Sequence, residues 1–500
     1  MSYTIRDLIN NNKDENIAIT SENNNVIKYS DLKKHIINIS SQLASQGITP
    51  SNRAAIVLPN GPEMATAFLS ISSYMSAAPL NPSYKLKEYE FYLQDLMPKI
   101  VIVEKDSQNP AVEAAKNLGI EICEVKKIDN APTGIFNLYD KTANFELATE
   151  NNEALVLHTS GTTSRPKVVP LTNKNIFSSA INISNSLQLS SQDHCYNIMP
   201  LFHIHGLIAV LSSSINAGAS VYASSGFNAL KFLETADKES ITWYSGVPTM
   251  HQAILMRAKK NPKLAEELSL RFIRSSSASL PPAVFDELKK IFKTTVIEAY
   301  GMTEATHQMT SNPMPPEKQK AGFVGMPAGP EVCIMDAQGN KLDSGVDGEV
   351  CIRGDNVTNG YENNEEANKT AFINGWFRTG DQGHFDDEGY LKISGRLKEI
   401  INRGGEKVSP LEVDNTLMEH KAVEQVVTFA VKDNLLGEAI GVAIVLKSGI
   451  DCNETDIKNY ARKHLADFKI PKYIRFLEEI PKGATGKLQR IGLAEKLGLE

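Results

Sequence analysis

The chain of 500 residues carries 52 Lys+Arg against 59 Asp+Glu, a formal net charge of −7, with 41% apolar and 22% charged residues. These figures describe an ordinary globular protein with ample chain for a large core, about three structural units at about 150 residues each. The mildly acidic balance, without a long basic run, argues against a surface built mainly for DNA or RNA phosphates.

In chain order, Ser30 predicts the N-cap of a helix that Gly47 stops. Ala54 to Leu58 predicts a buried strand, Met64 to Ser76 a helix, Tyr89 to Leu96 another, and Ile100 to Val103 the next strand. Such alternation predicts parallel sheets covered by helices. It recurs from Ala154 to about Tyr300, which predicts a second α/β layer. From about Val332 the texture changes to short strands and turns, including Gly348 to Arg353 and a hairpin around Asp386 to Gly389. A final unit from about Leu397 has strands at Val426 to Val431 and Gly441 to Leu446, with a hinge near Arg396 to Lys398.

The five cysteines, Cys123, Cys195, Cys333, Cys351 and Cys452, form no C-x-x-C pair and predict neither a disulfide framework nor a zinc site. No apolar run approaches the roughly 18 residues that span a bilayer. The start, Met-Ser-Tyr-Thr-Ile-Arg-Asp, lacks a signal-peptide layout, and the end, Leu-Gly-Leu-Glu, is not a Ser-Lys-Leu-type signal. The expectation is a cytoplasmic protein without membrane or nucleic-acid partners.

The most informative stretch follows the predicted strand Leu155 to His158: Thr159-Ser160-Gly161-Thr162-Thr163-Ser164-Arg165-Pro166-Lys167. Hydroxyls and backbone N–H groups around a glycine, followed by a cation, can wrap the oxygens of a polyphosphate. The spacing is not that of a Walker loop.

With five further segments in order, this loop resembles the adenylate-forming superfamily of acyl-CoA synthetases, peptide-synthetase adenylation domains and firefly luciferase. The segments are Pro200-Leu201-Phe202-His203, Tyr300-Gly301-Met302-Thr303-Glu304, Thr379-Gly380-Asp381, Gly395-Arg396-Leu397-Lys398 with Asn402-Arg403-Gly404-Gly405, and Pro481-Lys482-Gly483-Ala484-Thr485-Gly486-Lys487. Two positions depart from the pattern: Ser164 and Val168 stand where glycine is common.

The resemblance implies an α/β fold. Residues 1–396 would form a large N-terminal domain of two parallel-type sheets plus a small β subdomain, and residues 397–500 a mobile α+β domain. It implies that a carboxylate attacks the α-phosphorus of ATP, and that CoA then takes the acyl group with release of AMP and pyrophosphate. Such chemistry needs the phosphate charge neutralised while two anions meet. The implied ATP-binding residues are Thr159, Ser160, Gly161, Thr162, Thr163, Ser164, Lys167, Tyr300, Gly301, Thr303, Asp381 and Arg396. Glu304 would hold Mg²⁺ on the phosphates, Asp381 the ribose hydroxyls, and Tyr300 would lie beside adenine. Lys487, Glu304 and Arg396 are the implied catalytic groups, with Lys487 bridging the acid and the α-phosphate. Rotation about Lys398 would replace the Lys487 loop by the Gly404-Gly405 face, where missing side chains admit the narrow pantetheine arm of CoA.

For the acid, the implied pocket residues His203, Ser277 and His307 supply hydrogen-bond donors rather than a fatty-acid lining, which suits a short acid with a second carboxylate. The strings Leu157 to Lys167, Arg271 to Ser275 and Glu298 to His307 look most like the superfamily's oxalate-activating subgroup. Acetate, malonate, a small aromatic acid, and a nucleotide-binding protein without catalysis remain alternatives.

Overall fold

Short β-rich apolar runs can bury both faces only where helices cover them, and the chain from Ile17 to Ser311 solves this with two sheets sharing one core. The computed structural model describes residues 3–23, 25–159, 166–481 and 490–499. Among these, the first sheet has seven strands in the order Phe136–Asn137, Glu121–Lys127, Ile100–Glu104, Arg53–Val57, Ser76–Pro79, Glu153–His158, Val168–Thr172. The second has nine, ordered Met326–Pro327, His307–Ser311, Thr295–Met302, Phe272–Ser275, Trp243–Gly246, His194–Asn197, Ser220–Ala223, Ile17–Ser21, Asn25–Lys28.

The interior pairs of both sheets are parallel. Their edges correct the parallel expectation: Ile17–Ser21 with Asn25–Lys28, Glu153–His158 with Val168–Thr172, and Thr295–Met302 with His307–Ser311 are antiparallel. The connections between these partners are too short for a crossover helix, so the chain turns straight back. The core cluster draws Trp243, Phe272 and Ile297 from the second sheet and Ile56 and Ile102 from the first. Between them lie the helix Pro62–Ser72 and the π-helix His205–Ser212, the latter buried along its whole length.

Two predicted boundaries shift. Ser30 lies inside the helix Tyr29–Ser45; Lys28 is the cap, its N–H donating to Asp31 Oδ2 at 3.3 Å. Gly47, at φ +70°, does mark the exit. The next helix stops at Ser72 rather than Ser76, because Ser76 opens the strand Ser76–Pro79 beside Arg53–Val57.

Beyond Pro327 a five-stranded antiparallel sheet contains Gly348–Arg353 and the predicted hairpin, Trp376–Phe385 with Leu391–Arg396. A last sheet pairs Val423–Asp433 with Gly437–Leu446 over its own core of Ile401, Val413, Val442 and Ile457. Between the two sheets runs a turn in which Leu397 N–H donates to Gly380 O at 2.9 Å and Ile400 N–H to Arg396 O at 3.0 Å. No helix among the described residues is long and apolar enough to cross a membrane.

Arg490 ties this turn to the last sheet. It meets Asp414 Oδ2 at 2.5 Å, donates to Thr428 O at 2.8 Å and lies 3.5 Å from Glu399 Oε2. Burial pushes the Asp414 carboxyl up, and Arg490 opposes that shift. Removing one partner of a buried pair strands the other charge, at about 3–5 kcal/mol. Arg490→Ala is therefore expected to lower stability by about that amount, read as a lower denaturant midpoint of the near-UV transition.

Candidate active site

The parallel strands Trp243–Gly246 and Phe272–Ser275 end together, level with Glu298 of the longer Thr295–Met302, and in such sheets ligands bind outside the carboxyl ends of strands. Beyond these ends come Ser277 and the 3₁₀ turn Thr303–Ala305. From the first sheet come Thr159 and Lys167, which clamp each other: Thr159 N–H donates to Lys167 O at 2.9 Å and Lys167 N–H to Thr159 Oγ1 at 3.1 Å. Val168 begins a strand here and its side chain packs in a buried apolar cluster.

These elements and the antiparallel sheet enclose a cavity of about 420 Å³. Its lining gathers Thr159, Lys167, His203, Ser277, Gly301, Thr303, Glu304, His307, Arg396 and Lys398, all singled out from the sequence. Ser160, Gly161, Thr162, Thr163, Ser164 and Lys487 lie outside the described residues. Gly404 and Gly405 are not brought to the cavity. They form an exposed turn at φ +62° and +99° between Ile401–Arg403 and Glu406–Val408, and Ile491 borders the cavity instead.

One end of the cavity is charged. Burial pulls the Lys167 ammonium below its ordinary range; Glu304 opposes the shift, while Lys398 and Arg396 add to it. The Lys167 Nζ sits 4.1 Å from the Tyr361 ring centre, and Tyr361 donates its hydroxyl to Glu304 Oε1 at 2.8 Å. Glu349, the other carboxylate in the lining, is committed to Arg378 at 2.5 Å and to Gly380 N–H at 3.0 Å. Glu304 thus offers a hard oxygen ligand among cations. Among the described residues no three carboxylate, imidazole or thiol side chains form a metal cage. A lone carboxylate of this kind fits Mg²⁺ carried on phosphate oxygens.

Tyr300 and Asp381 lie just behind the lining, and the Tyr300 hydroxyl donates to Asp381 Oδ2. Arg396, the cross-strand neighbour of Asp381, reaches Oδ1 at 3.1 Å, and that carboxylate holds the guanidinium above its ordinary range. Asp381 therefore fixes a ring and a cation at once.

The other end is built from imidazole and hydroxyl groups. His203 Nδ1 accepts the His205 N–H at 3.3 Å, which leaves a neutral ring's proton on Nε2. Ser277 Oγ lies 3.0 Å from His205 Nδ1, and His205 Nε2 lies 2.7 Å from Ser245 Oγ. The His205 and His307 rings tilt together with centroids 4.9 Å apart. Ser277, Thr306 and His307 have φ of +71°, +49° and +91°, the left-handed region that residues with side chains adopt uncommonly.

Sequence reasoning assigned no role to His205, Ser245, Arg274, Gln308 or Tyr361. The signals present were a second histidine two residues after His203 and a charge inside the apolar run Phe272-Ile273-Arg274-Ser275.

The comparisons agree along the chain. A curated relative from Arabidopsis thaliana, oxalate–CoA ligase, is 46% identical over 90% of this chain and 89% of its own length. An oxalate–CoA ligase from Saccharomyces cerevisiae is 40% identical over 96% of this chain and 94% of its own. The crystal structure of ATP-bound MatB from Rhodopseudomonas palustris superposes with a TM-score of 0.90 at 26% identity, covering 99% of both chains. Residues 7–362 match the AMP-binding enzyme family and residues 412–487 the AMP-binding enzyme C-terminal domain. The chain belongs to the AMP-binding enzyme family.

Proposed function

We propose that this chain is an ATP-dependent acid–CoA ligase whose acid is oxalate. The observation that carries the reading is one cavity whose lining joins the cations Lys167, Arg396 and Lys398 to the hydrogen-bonding groups His203, Ser277 and His307. The names of the relatives, oxalate–CoA ligases at 40% and 46% identity, support the same acid.

In this reading the units are residues 1–396 and 397–500, and the chemistry runs in two steps. An oxalate oxygen attacks the α-phosphorus and pyrophosphate leaves; the CoA sulfur then attacks the acyl carbon and AMP leaves, the thiol proton passing to solvent. Thr159 and Lys167, with the intervening residues Ser160 to Ser164, hold the departing phosphates. Glu304, which accepts from the Tyr361 hydroxyl, would hold Mg²⁺ arriving on ATP, and the ion would supply charge neutralisation on the phosphates. Asp381, oriented by Tyr300 and Arg396, takes the ribose, with Tyr300, Gly301 and Thr303 along the nucleotide. Lys487 joins acid and α-phosphate in the first step. Turning at Lys398 then brings Gly404 and Gly405 to the cleft for CoA.

The acid pocket is tested by a panel of acids assayed for acid-dependent pyrophosphate release. Oxalate should exceed acetate, because acetate leaves buried donors unpaired at about 1–3 kcal/mol each. His307→Ala should raise the KM for oxalate by about 5- to 150-fold and leave the KM for ATP nearly intact. A medium-chain fatty acid as best substrate, or unchanged oxalate kinetics in His307→Ala, would sink the oxalate reading.

The nucleotide product should be AMP, and finding mainly ADP would reject adenylation. Lys487→Ala should slow adenylate formation by about 10²–10³-fold, the loss seen on removing one transition-state donor. Thioester formation from supplied acyl adenylate should change far less. Equal losses in both steps would show that Lys487 does not belong to the first step alone.

A further inference from the structure

Arg274 is fully buried on the strand Phe272–Ser275, on the face that also buries Trp243 and Phe272 in the main core. Its Nη2 donates to Gln308 Oε1 at 3.1 Å, its Nη1 to Ser245 Oγ at 3.3 Å, and Nη1 lies 3.5 Å from His205 Nε2. Its Nε is buried without a partner, and among the described residues no carboxylate pairs with it. Burial pushes the guanidinium down to about 9, which leaves it charged at neutral pH. A buried cation without a counter-ion is expensive to keep, so its presence beside the acid pocket calls for a reason.

The reason lies in what a guanidinium can do: it donates and never accepts. With Nη1 facing both Ser245 Oγ and His205 Nε2, a proton on Nε2 would set two donors against each other. Nε2 is therefore the acceptor, and the Ser245 hydroxyl donates to it across 2.7 Å. The neutral ring then carries its proton on Nδ1 and donates to Ser277 Oγ across 3.0 Å. The Ser277 oxygen is thus an acceptor within the chain, and its own proton is turned outward, to the cavity that Ser277 lines.

We propose that Arg274 is a positioning residue for the acid substrate: through Ser245 and His205 it fixes the direction of a hydrogen-bond chain that ends with the Ser277 hydroxyl donating to the far carboxylate of oxalate. The proposal rests on the function proposed above and deepens it. It also gives the lone guanidinium its counter-charge, since a dicarboxylate brings a second negative charge to this end and a monocarboxylate does not.

Steady-state pyrophosphate release with oxalate, with acetate and against ATP, on wild type, Arg274→Met, Arg274→Lys and Ser245→Ala, tests it. Ser245→Ala keeps the guanidinium and breaks the chain. It should raise the KM for oxalate by about 5- to 150-fold, with the KM for ATP within about threefold and oxalate losing ground relative to acetate. Arg274→Met should do the same and Arg274→Lys, still a donor-only cation, should recover part of the loss. If Arg274→Met fails to fold, judged by circular dichroism and thermal unfolding, Ser245→Ala and Arg274→Lys decide. Equal losses for oxalate and acetate, or an unchanged oxalate KM in folded Ser245→Ala, would overturn the relay alone. Wild-type protein that does not use oxalate would overturn the function reading, and the relay with it.

Discussion

Lys167, Arg396 and Lys398 reach one cavity from separate parts of the chain, and the carboxylates around them do not fully answer their charge. Glu349 is taken by Arg378 and Asp381 by Arg396, which leaves Glu304 to face Lys167 and Lys398 together. Burial depresses the Lys167 ammonium, and repulsion from Lys398 and Arg396 in this half-buried site adds to that shift. Under the proposed function an arriving polyphosphate relieves that repulsion. The fold supplies the stiffness such an arrangement needs: Thr159 and Lys167 are clamped to each other, and Arg53 grips both Glu153 and Glu362, pinning the strand that leads to Thr159.

Charge and donors are separated for a physical reason. Cations suit phosphates, where several negative oxygens share diffuse charge. Bare cations beside a small acid would also grip any anion, including pyrophosphate, at the wrong end of the cavity. Neutral donors held in one orientation select by hydrogen-bond geometry instead. The guanidinium of Arg274 is kept one layer back, touching Ser245 and Gln308, so its field reaches the pocket while its atoms do not.

The residues legible in the sequence were those carried by contiguous motifs: Lys167, His203, Glu304, Asp381 and Arg396 each sit in a short string whose chemistry is local. Their companions are not local. Tyr361 meets Glu304 from 57 residues away, and Arg274 meets His205 from 69 away, so only the packed fold can join them. The same holds for architecture. Alternating apolar runs foretold two α/β sheets, but the antiparallel edges depend on short connections, and Asn25–Lys28 joins the second sheet through Ile17–Ser21, which pairs with Ser220–Ala223. Ser30 misled because a serine at a helix start resembles a cap, while here Asp31 reaches back to Lys28.

One turn joins the two ends of the site. Between Thr295–Met302 and His307–Ser311 the chain brings both Glu304 and His307 into the cavity lining within three residues. It does so with a bulge at Gly301, where a Cβ would lie 1.9 Å from the His307 carbonyl oxygen, and with positive φ at Thr306 and His307. That costly backbone is held from outside: Ser179 donates to Thr306 O, Thr306 donates to Asn356 O at 2.7 Å, and Asn356 Nδ2 bridges Ala305 O at 2.8 Å and Gln308 O at 3.1 Å. Gln308, next in the chain, is the same residue that binds Arg274. Glu304, His307 and the recessed guanidinium therefore share one held backbone, so a substitution that shifts this backbone would disturb both parts of the lining, whereas a side-chain truncation that leaves it in place would not.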